Sequence, residues 1–465
     1  MNTKNTFTKR KWFLERSDAA LFLIAALAQV LFFYCFLYGN AAVIMFDSGH
    51  YHTAAISLLK NGCYVSADGA PLFYRLPGYS VFLAALYALV GVNVWKALLL
   101  QILLAATIPL LIKRFVLALT QRSDLARITS WLSVIAPGYM IFSGLLLTDM
   151  LFAWLFLFFC IAILRMIDRG GTLGAAAGAG FLLGLLSLIR PVGHLLLPFL
   201  LLFIVLFLQA SWVRKFTAAA ALGGVWALVA GSWLLRNFLL TGFVFFHTLP
   251  GPHFINHVAV RVASMGKGVT YDQAKGGVYR RLQEKTEASI KSSDKQFSEI
   301  ERCQLFEREA VAIIKQYPKE FMYLSIINCF KTMCALYSSE LLVIDAQGYL
   351  PSYDRKGLIS TVKRFLWPTV GNRWIIAVIY FEILLLLLTA FGACLAAMRY
   401  WRYFFNPRVM LVLGLIGFFI GISFACGYAR LRLSVELFYL LAAAYALNDL
   451  WLWRKSYVFS DERKK

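Results

Sequence analysis

Phe46–Gly62, FDSGHYHTAAISLLKNG, and Pro71–Gly91, PLFYRLPGYSVFLAALYALVG, decide the fold of this chain. They lie between two apolar runs, 19–37 and 94–112, each long enough to cross a bilayer core. A chain that only had to turn back into a membrane would use a short polar connection. Here the loop 38–93 is half apolar and carries an acid, Asp47, near its start. Tyr51, Ala54, Ala55, Leu58 and Leu59 follow at i, i+3, i+4, i+7 and i+8, the pattern of an amphipathic helix lying on a membrane surface. Pro77–Val90 is apolar but too short to span comfortably, and suits an interfacial or re-entrant helix.

The rest of the chain supports a membrane reading. It is 60% hydrophobic and only 15% charged, against about 25% charged in soluble domains. Apolar runs of spanning length fall near 19–37, 94–112, 128–143, 150–167, 172–189, 193–210, 216–235, 375–397, 409–425 and 433–452. The net charge of +22 comes from short basic flanks, not from a nucleic-acid-binding surface. Lys9, Arg10 and Lys11 precede the first run. Lys113, Arg114, Arg122 and Arg127 separate the second and third, and Arg165 and Arg169 follow the fourth. Arg214 and Lys215 follow the sixth, and Arg399, Arg402 and Arg408 precede the ninth. Arg454, Lys455, Arg463, Lys464 and Lys465 follow the last. With ten spans all fall on one side, which places both termini in the cytoplasm. The first run reads as an uncleaved anchor. There is no GxxxxGK[ST] loop, so no nucleotide-driven pump is indicated.

The expected fold is an all-α polytopic membrane protein of about 10–11 transmembrane helices, with interfacial helices in the first outer loop and a small outer-facing soluble insert. Three parts are expected: an N-terminal transmembrane catalytic module over 1–237, a periplasmic loop subdomain over 238–320, and a C-terminal interfacial and transmembrane module over 321–465. Phe321–Leu336, interrupted by Asn328 and Lys331, reads as an interfacial helix; a partner span within 339–374 would also restore the parity. FSEIERCQLFEREAVAIIKQYP, 297–318, reads as a helix closed by Pro318. Gly174/Gly178 and Gly180/Gly184 predict close helix packing. The eight cysteines include no CxxC pair; Cys63 and Cys303 fall in outer loops, where they are either paired in a disulfide or free.

Two acids and a set of arginines are the candidates for chemistry. Asp47 is either the N-cap of its helix or a general base at the rim of an outward cavity. Asp149, in GLLLTDMLF at the start of the fourth span, is either a cap or a second carboxylate facing that cavity. Arg75 with Tyr74 in FYRLPGY, Arg190 in LSLIRPVG, Arg236 in SWLLRNF, and Arg430 and Arg432 in GYARLRL all fall at outer ends of apolar runs. Snorkelling to the interface would account for any one of them. Five on the side where basic residues are normally depleted point instead to a phosphate, which guanidinium groups grip well. His253 and His257 have the i, i+4 spacing of metal ligands, without an adjacent acid. The residues leave room for a divalent metal without specifying one.

The order of these elements resembles the GT-C-fold glycosyltransferases, closest to bacterial members of the dolichyl-phosphate-mannose protein mannosyltransferase and lipid A aminoarabinose transferase group. The resemblance covers most of residues 10–455. It implies transfer of a sugar from a polyprenyl-phosphate donor to a glycan, lipid or protein acceptor, on the periplasmic face of a bacterial inner membrane. Asp47 matches the family's catalytic acid of the first outer loop and Asp149 the acid of the second. Arg75, Arg190, Arg236 and Arg430 fall where such enzymes place phosphate-binding residues. The chain departs at Ser48, where many members have a second acid, and at Arg75, where others have a His or Lys before the prolines. The expected activity is that of an inverting glycosyltransferase. Its rivals are an O-antigen polymerase or ligase, which favours a late outer loop, and a lipid or solute transporter, which favours charge at the membrane midplane.

Overall fold

The computed structural model describes residues 16–44, 47–293, 298–346 and 372–461 of the chain. Lys9, Arg10, Lys11, Arg463, Lys464 and Lys465, the side chains of Arg454 and Lys455, and residues 347–371 of the segment considered for a partner span lie outside the described residues. Among the described residues the structure is helical, with a single isolated bridge between Val65 and Pro71.

All ten apolar runs are helical. The first is α1 (Arg16–Phe36), and the loop after it carries α2 (Ser48–Asn61) and α3 (Gly78–Val90). The chain returns through α4 (Val94–Ala105) and α5 (Ile108–Thr120), then α6 (Ser123–Val134) and α7 (Pro137–Ser143), which meet at 47°. The next four are α8 (Thr148–Asp168), α9 (Leu173–Ile189), α10 (Val192–Phe207) and α11 (Trp212–Thr241). Among the described residues seven helices are long and apolar enough to cross a membrane, or nine if each bent pair is one span. α9 and α10, at 17 and 16 residues or about 25 Å, fall short of that length, and one of the bent pairs, Pro318–Cys334 with Ser338–Asp345, is the segment that the sequence suggested as interfacial.

α8 is the central post. Phe152, Phe156 and Phe159 on it are fully buried, and it packs against α5 and α9. α11 lies outside α9. A Cβ on Gly180 would come within 2.3 Å of the Leu222 carbonyl oxygen, and one on Gly184 within 2.6 Å of Val229, so these glycines let the two helices touch. Gly174 and Gly178 face open space and take no part in that contact.

The insert contains α12 (Pro250–Phe254), a π turn (Ile255–Ala259), α13 (Val260–Lys267), α14 (Tyr271–Ser293) and α15 (Glu299–Gln316). It has its own apolar core, which includes Ile255, Val258, Val262, Val278, Leu282 and Ile313. α15 starts on a reciprocal capping box between Ser298 and Glu301. Pro318 opens the next helix, α16 (Pro318–Cys334), and does not simply end α15. α16 meets α17 (Ser338–Asp345) at 92°. Cys63 and Cys303 are both free, one exposed and the other buried, so no disulfide links them.

The chain ends with α18 (Trp374–Tyr400), α19 (Pro407–Gly421), the short α20 (Ala429–Arg432) and α21 (Glu436–Asp461). Ion pairs mark one end of the bundle: Arg408–Asp168, Arg399–Asp449 and Lys113–Asp18, each at 2.5 Å, gather the short basic connections there. The opposite ends of α1, α8, α9 and α11 meet the first long loop and the insert.

Candidate active site

Four local features bring distant charges together. In the first loop, the Tyr64 hydroxyl donates to the carbonyls of Arg75 (3.2 Å) and Leu76 (3.0 Å), which fixes the backbone that carries the Arg75 guanidinium. Gly78 opens α3 where a Cβ would lie 2.7 Å from the Leu188 carbonyl oxygen, so the start of α3 rests on the end of α9. Arg190 follows α9 directly, at a turn closed by the Gly193 N–H donating to the Arg190 carbonyl. Gly193 is required there, since a Cβ would lie 2.5 Å from the Leu186 carbonyl. Finally, buried Gln101 accepts from the Tyr79 hydroxyl and donates to the carbonyls of Ser143 and Leu145, which holds the loop leading to Asp149.

The result is a cage of two carboxylates and three guanidinium groups. Arg75 Nη2 donates to Asp47 Oδ1 at 2.5 Å. Arg190 donates to Asp149 Oδ1. Arg430 joins the two halves: its Nε reaches both Asp149 oxygens, at 3.0 and 2.9 Å, and its Nη1 lies 3.5 Å from Asp47 Oδ2. Asp149 is fully buried, while the Asp47 side chain keeps 30% exposure. Of the two alternatives for each acid, capping does not hold among the described residues: Asp47 makes no side-chain cap bond to α2, and the N-cap of α8 is Leu147 and not Asp149. Burial alone would raise the Asp47 pKa, but Arg75 and Arg430 outweigh it and hold the carboxyl below its usual value. Three positive and two negative groups leave the cage with net positive charge. In addition, the buried Arg75 Nε has no hydrogen-bond partner among the described residues.

The remaining sequence candidates fall outside the cage. Tyr74 lies beneath the Arg75 guanidinium, 4.7 Å from it, and buried Tyr51 flanks the same group at 5.6 Å. Arg236 does not reach either acid. It donates to the carbonyls of Leu72 (3.3 Å) and Tyr64 (3.2 Å) and lies over Trp233 at 4.5 Å, so it secures the loop that presents Arg75. Arg432 is buried in protein. It pairs with Glu436 at 3.2 Å and donates to the carbonyls of Met333 and Ala335, joining α21 to the bend between α16 and α17. Glu340 on α17, which no sequence pattern singled out, lies within the field of Arg430, Asp149 and Asp47.

All four oxygens of Asp47 and Asp149 face guanidinium groups, so this pair as arranged does not fit a divalent cation. Among the described residues one group of three His, Cys, Asp or Glu side chains has metal-ligand spacing, and it lies elsewhere: His253, His257 and Cys426.

No protein-family model and no curated protein matches this sequence. Solved structures do match. The archaeal oligosaccharyltransferase AglB from Archaeoglobus fulgidus, in complex with an inhibitory peptide and a dolichol-phosphate, superposes with a TM-score of 0.53 at 13% identity, over 96% of this chain and 52% of that one. The Archaeoglobus fulgidus oligosaccharyltransferase tethered with an acceptor peptide gives 0.52 at 13% identity, over 94% and 50%. ArnT from Cupriavidus metallidurans in the apo state gives 0.41 at 14% identity, over 93% and 78%. This chain spans about half the length of the oligosaccharyltransferase structures it matches. At these identities the likeness is one of fold: the chain has an all-α, polytopic, GT-C-like fold.

Proposed function

We propose that this protein is an inverting membrane glycosyltransferase that moves a sugar from a polyprenyl-phosphate donor to a lipid, glycan or protein acceptor on the periplasmic face of the membrane. The observation that carries this reading is the cage: three guanidinium groups converge on two acids at helix ends, and Arg75 Nε is left over. Guanidinium pairs suit phosphate oxygens, and the fold neighbour AglB was solved with a dolichol-phosphate. Charges at helix ends, away from mid-span, favour an enzyme over a transporter. An apolar cleft of about 720 Å³ lined by Phe32, Phe36, Met140, Trp374 and Phe381 gives a lipid tail a place beside α1 and α7.

In the ligand-free cage Asp47 is a poor base, because Arg75 and Arg430 stabilise its charge. A donor phosphate competes for those guanidinium groups. As Arg75 and Arg430 turn to phosphate oxygens, Asp47 loses its partners and gains basicity. It then takes the proton of the acceptor hydroxyl or amide as that atom attacks the anomeric carbon. The bond from the anomeric carbon to the phosphate oxygen breaks with inversion, and the polyprenyl phosphate leaves with its extra negative charge held by Arg75, Arg190 and Arg430. Asp149 positions Arg190 and Arg430.

Mass spectrometry of cell-envelope lipids, glycans and proteins, with and without this protein, tests the reading and identifies the acceptor. One class of molecule should lose a sugar, and polyprenyl-phosphate sugar should accumulate. Unchanged envelope glycans with no accumulated donor would overturn it.

A further inference from the structure

His253, His257 and Cys426 are not among the groups that the proposed reaction uses, although the charges of Arg75 and Asp47 reach His253, and they come from opposite sides of one seam. The two histidines flank the join between α12 and the π turn, a helix irregularity that often marks a functional site. Asn256 stiffens this turn. Its amide donates to the Pro252 carbonyl at 3.0 Å, and its side-chain oxygen accepts from the Tyr279 hydroxyl at 2.9 Å. Gly251 seats the turn against α15, since a Cβ there would lie 2.4 Å from the Cys303 carbonyl.

Cys426 belongs to the turn between α19 and α20, four positions before Arg430. That turn is also fixed from behind. Asn328 of α16 donates to the Phe424 carbonyl at 2.9 Å, and Gly427 allows α16 to approach, since a Cβ there would lie 2.6 Å from the Asn328 carbonyl. Cys426 Sγ lies 3.4 Å from His253 Nε2. One ligand atom from each of the three residues lies within 4.8 Å of the others.

Tetrahedral zinc, with Zn–N about 2.0–2.1 Å and Zn–S about 2.3 Å, sets its ligand atoms about 3.3–3.6 Å apart. The Cys426–His253 edge already has that length, and the remaining edges, at most 4.8 Å long, close with up to about 1.5 Å of side-chain movement. We propose that His253, His257 and Cys426 form a zinc site, with the fourth position taken by water, that ties the insert to the turn carrying Arg430. On binding, the zinc ion takes the thiolate and two neutral imidazoles, and the thiol proton passes to solvent. A thiolate with two imidazoles selects zinc over magnesium or calcium, which take oxygen ligands. The site fixes Arg430 at a distance and takes no part in bond breaking.

Cobalt(II) is the probe. The full chain, purified in detergent and stripped with a chelator, is titrated with cobalt and then with zinc. The expected result is one equivalent of cobalt with a thiolate-to-metal charge-transfer band and intense tetrahedral bands, all displaced by zinc. Cys426→Ser abolishes the charge-transfer band, His257→Asn weakens binding, and Cys303→Ser, which alters another buried cysteine of the insert, leaves the spectrum intact. Wild-type protein that binds no cobalt, or binds it without a charge-transfer band, overturns the proposal, as does a band that survives Cys426→Ser. In that case the 3.4 Å contact is a thiol–imidazole hydrogen bond only. Neither readout uses sugar transfer, so the site stands or falls apart from the proposed activity.

Discussion

Asp47→Asn should separate donor binding from turnover and move them in opposite directions. The Arg75–Asp47 pair is only partly buried, with side-chain exposures of 11% and 30%. A charge-assisted hydrogen bond is worth about 1.5–3 kcal/mol when buried, and solvent screening reduces this pair to about 1 kcal/mol. The contact from Arg430 to Asp47, at 3.5 Å, adds little. In wild-type protein a lipid phosphate must displace that carboxylate. With the neutral amide the competition falls, so polyprenyl phosphate should bind about fivefold more tightly. Transfer should fall by about 10²–10⁴, because an amide cannot accept the acceptor's proton. The fold should not suffer: Asp47 makes no cap bond to α2, and Asn caps as well as Asp. Both quantities are measured on protein in nanodiscs, one as the Kd for polyprenyl phosphate and the other as the rate of sugar transfer. Weaker phosphate binding in Asp47→Asn would refute the reasoning, since the carboxylate would then be holding the ligand instead of competing with it.

Arg75→Ala and Arg190→Ala should each weaken use of the donor lipid by about 10- to 100-fold while the protein still inserts, and normal KM and kcat in both would remove the phosphate site. Arg432→Met should lower the unfolding temperature without any direct effect on donor affinity, because it leaves the buried Glu436 charge with the Tyr337 hydroxyl but no guanidinium and takes the donor from two carbonyls, at a cost of about 3–5 kcal/mol; an unchanged unfolding temperature would contradict the structural role. His247 has its pKa lowered from 6.5 to about 3, by burial first and then by His194 and Arg75. Its contribution is therefore intact above pH 6.5 and is lost as pH falls below it, because the unfolded chain takes up the proton first. At about pH 5 this amounts to about 2 kcal/mol. His247→Asn should flatten the fall in unfolding temperature between pH 7 and 5, and an equally steep fall would contradict the assignment.

Helix lengths and buried faces were legible because they are local. The i, i+3, i+4 spacing of Tyr51, Ala54 and Ala55 did mark the buried face of α2, although Leu59 on the same stripe is 39% exposed. The ten apolar runs each became helix for the same reason. What a one-dimensional pattern does not carry is which helix ends meet. Arg430 and Asp149 are 281 positions apart, and nothing near either reveals that one guanidinium bridges both acids. For this reason five arginines at outer helix ends looked alike in the sequence. In the fold three form the cage, Arg236 secures a loop, and Arg432 is a buried strut. Glu340 went unnoticed because SSELL carries no motif. His253 and His257 lacked an evident third ligand because Cys426, beside the apolar run 409–425 and 169 positions beyond His257, carries no motif. The glycines show the same limit: spacing identified both small-residue pairs on α9, but only Gly180 and Gly184 face another helix.

The most direct test of the central claim follows a labelled sugar. Polyprenyl-phosphate sugar is given to purified protein with lipid, glycan and peptide acceptors, and both lipid product and glycosylated acceptor are measured. The account predicts that wild-type protein releases polyprenyl phosphate in step with sugar appearing on one acceptor, with inverted anomeric configuration, and that Asp47→Asn stops both while still binding the lipid. Donor left intact with every acceptor class, or carried unchanged across a vesicle membrane, would contradict it.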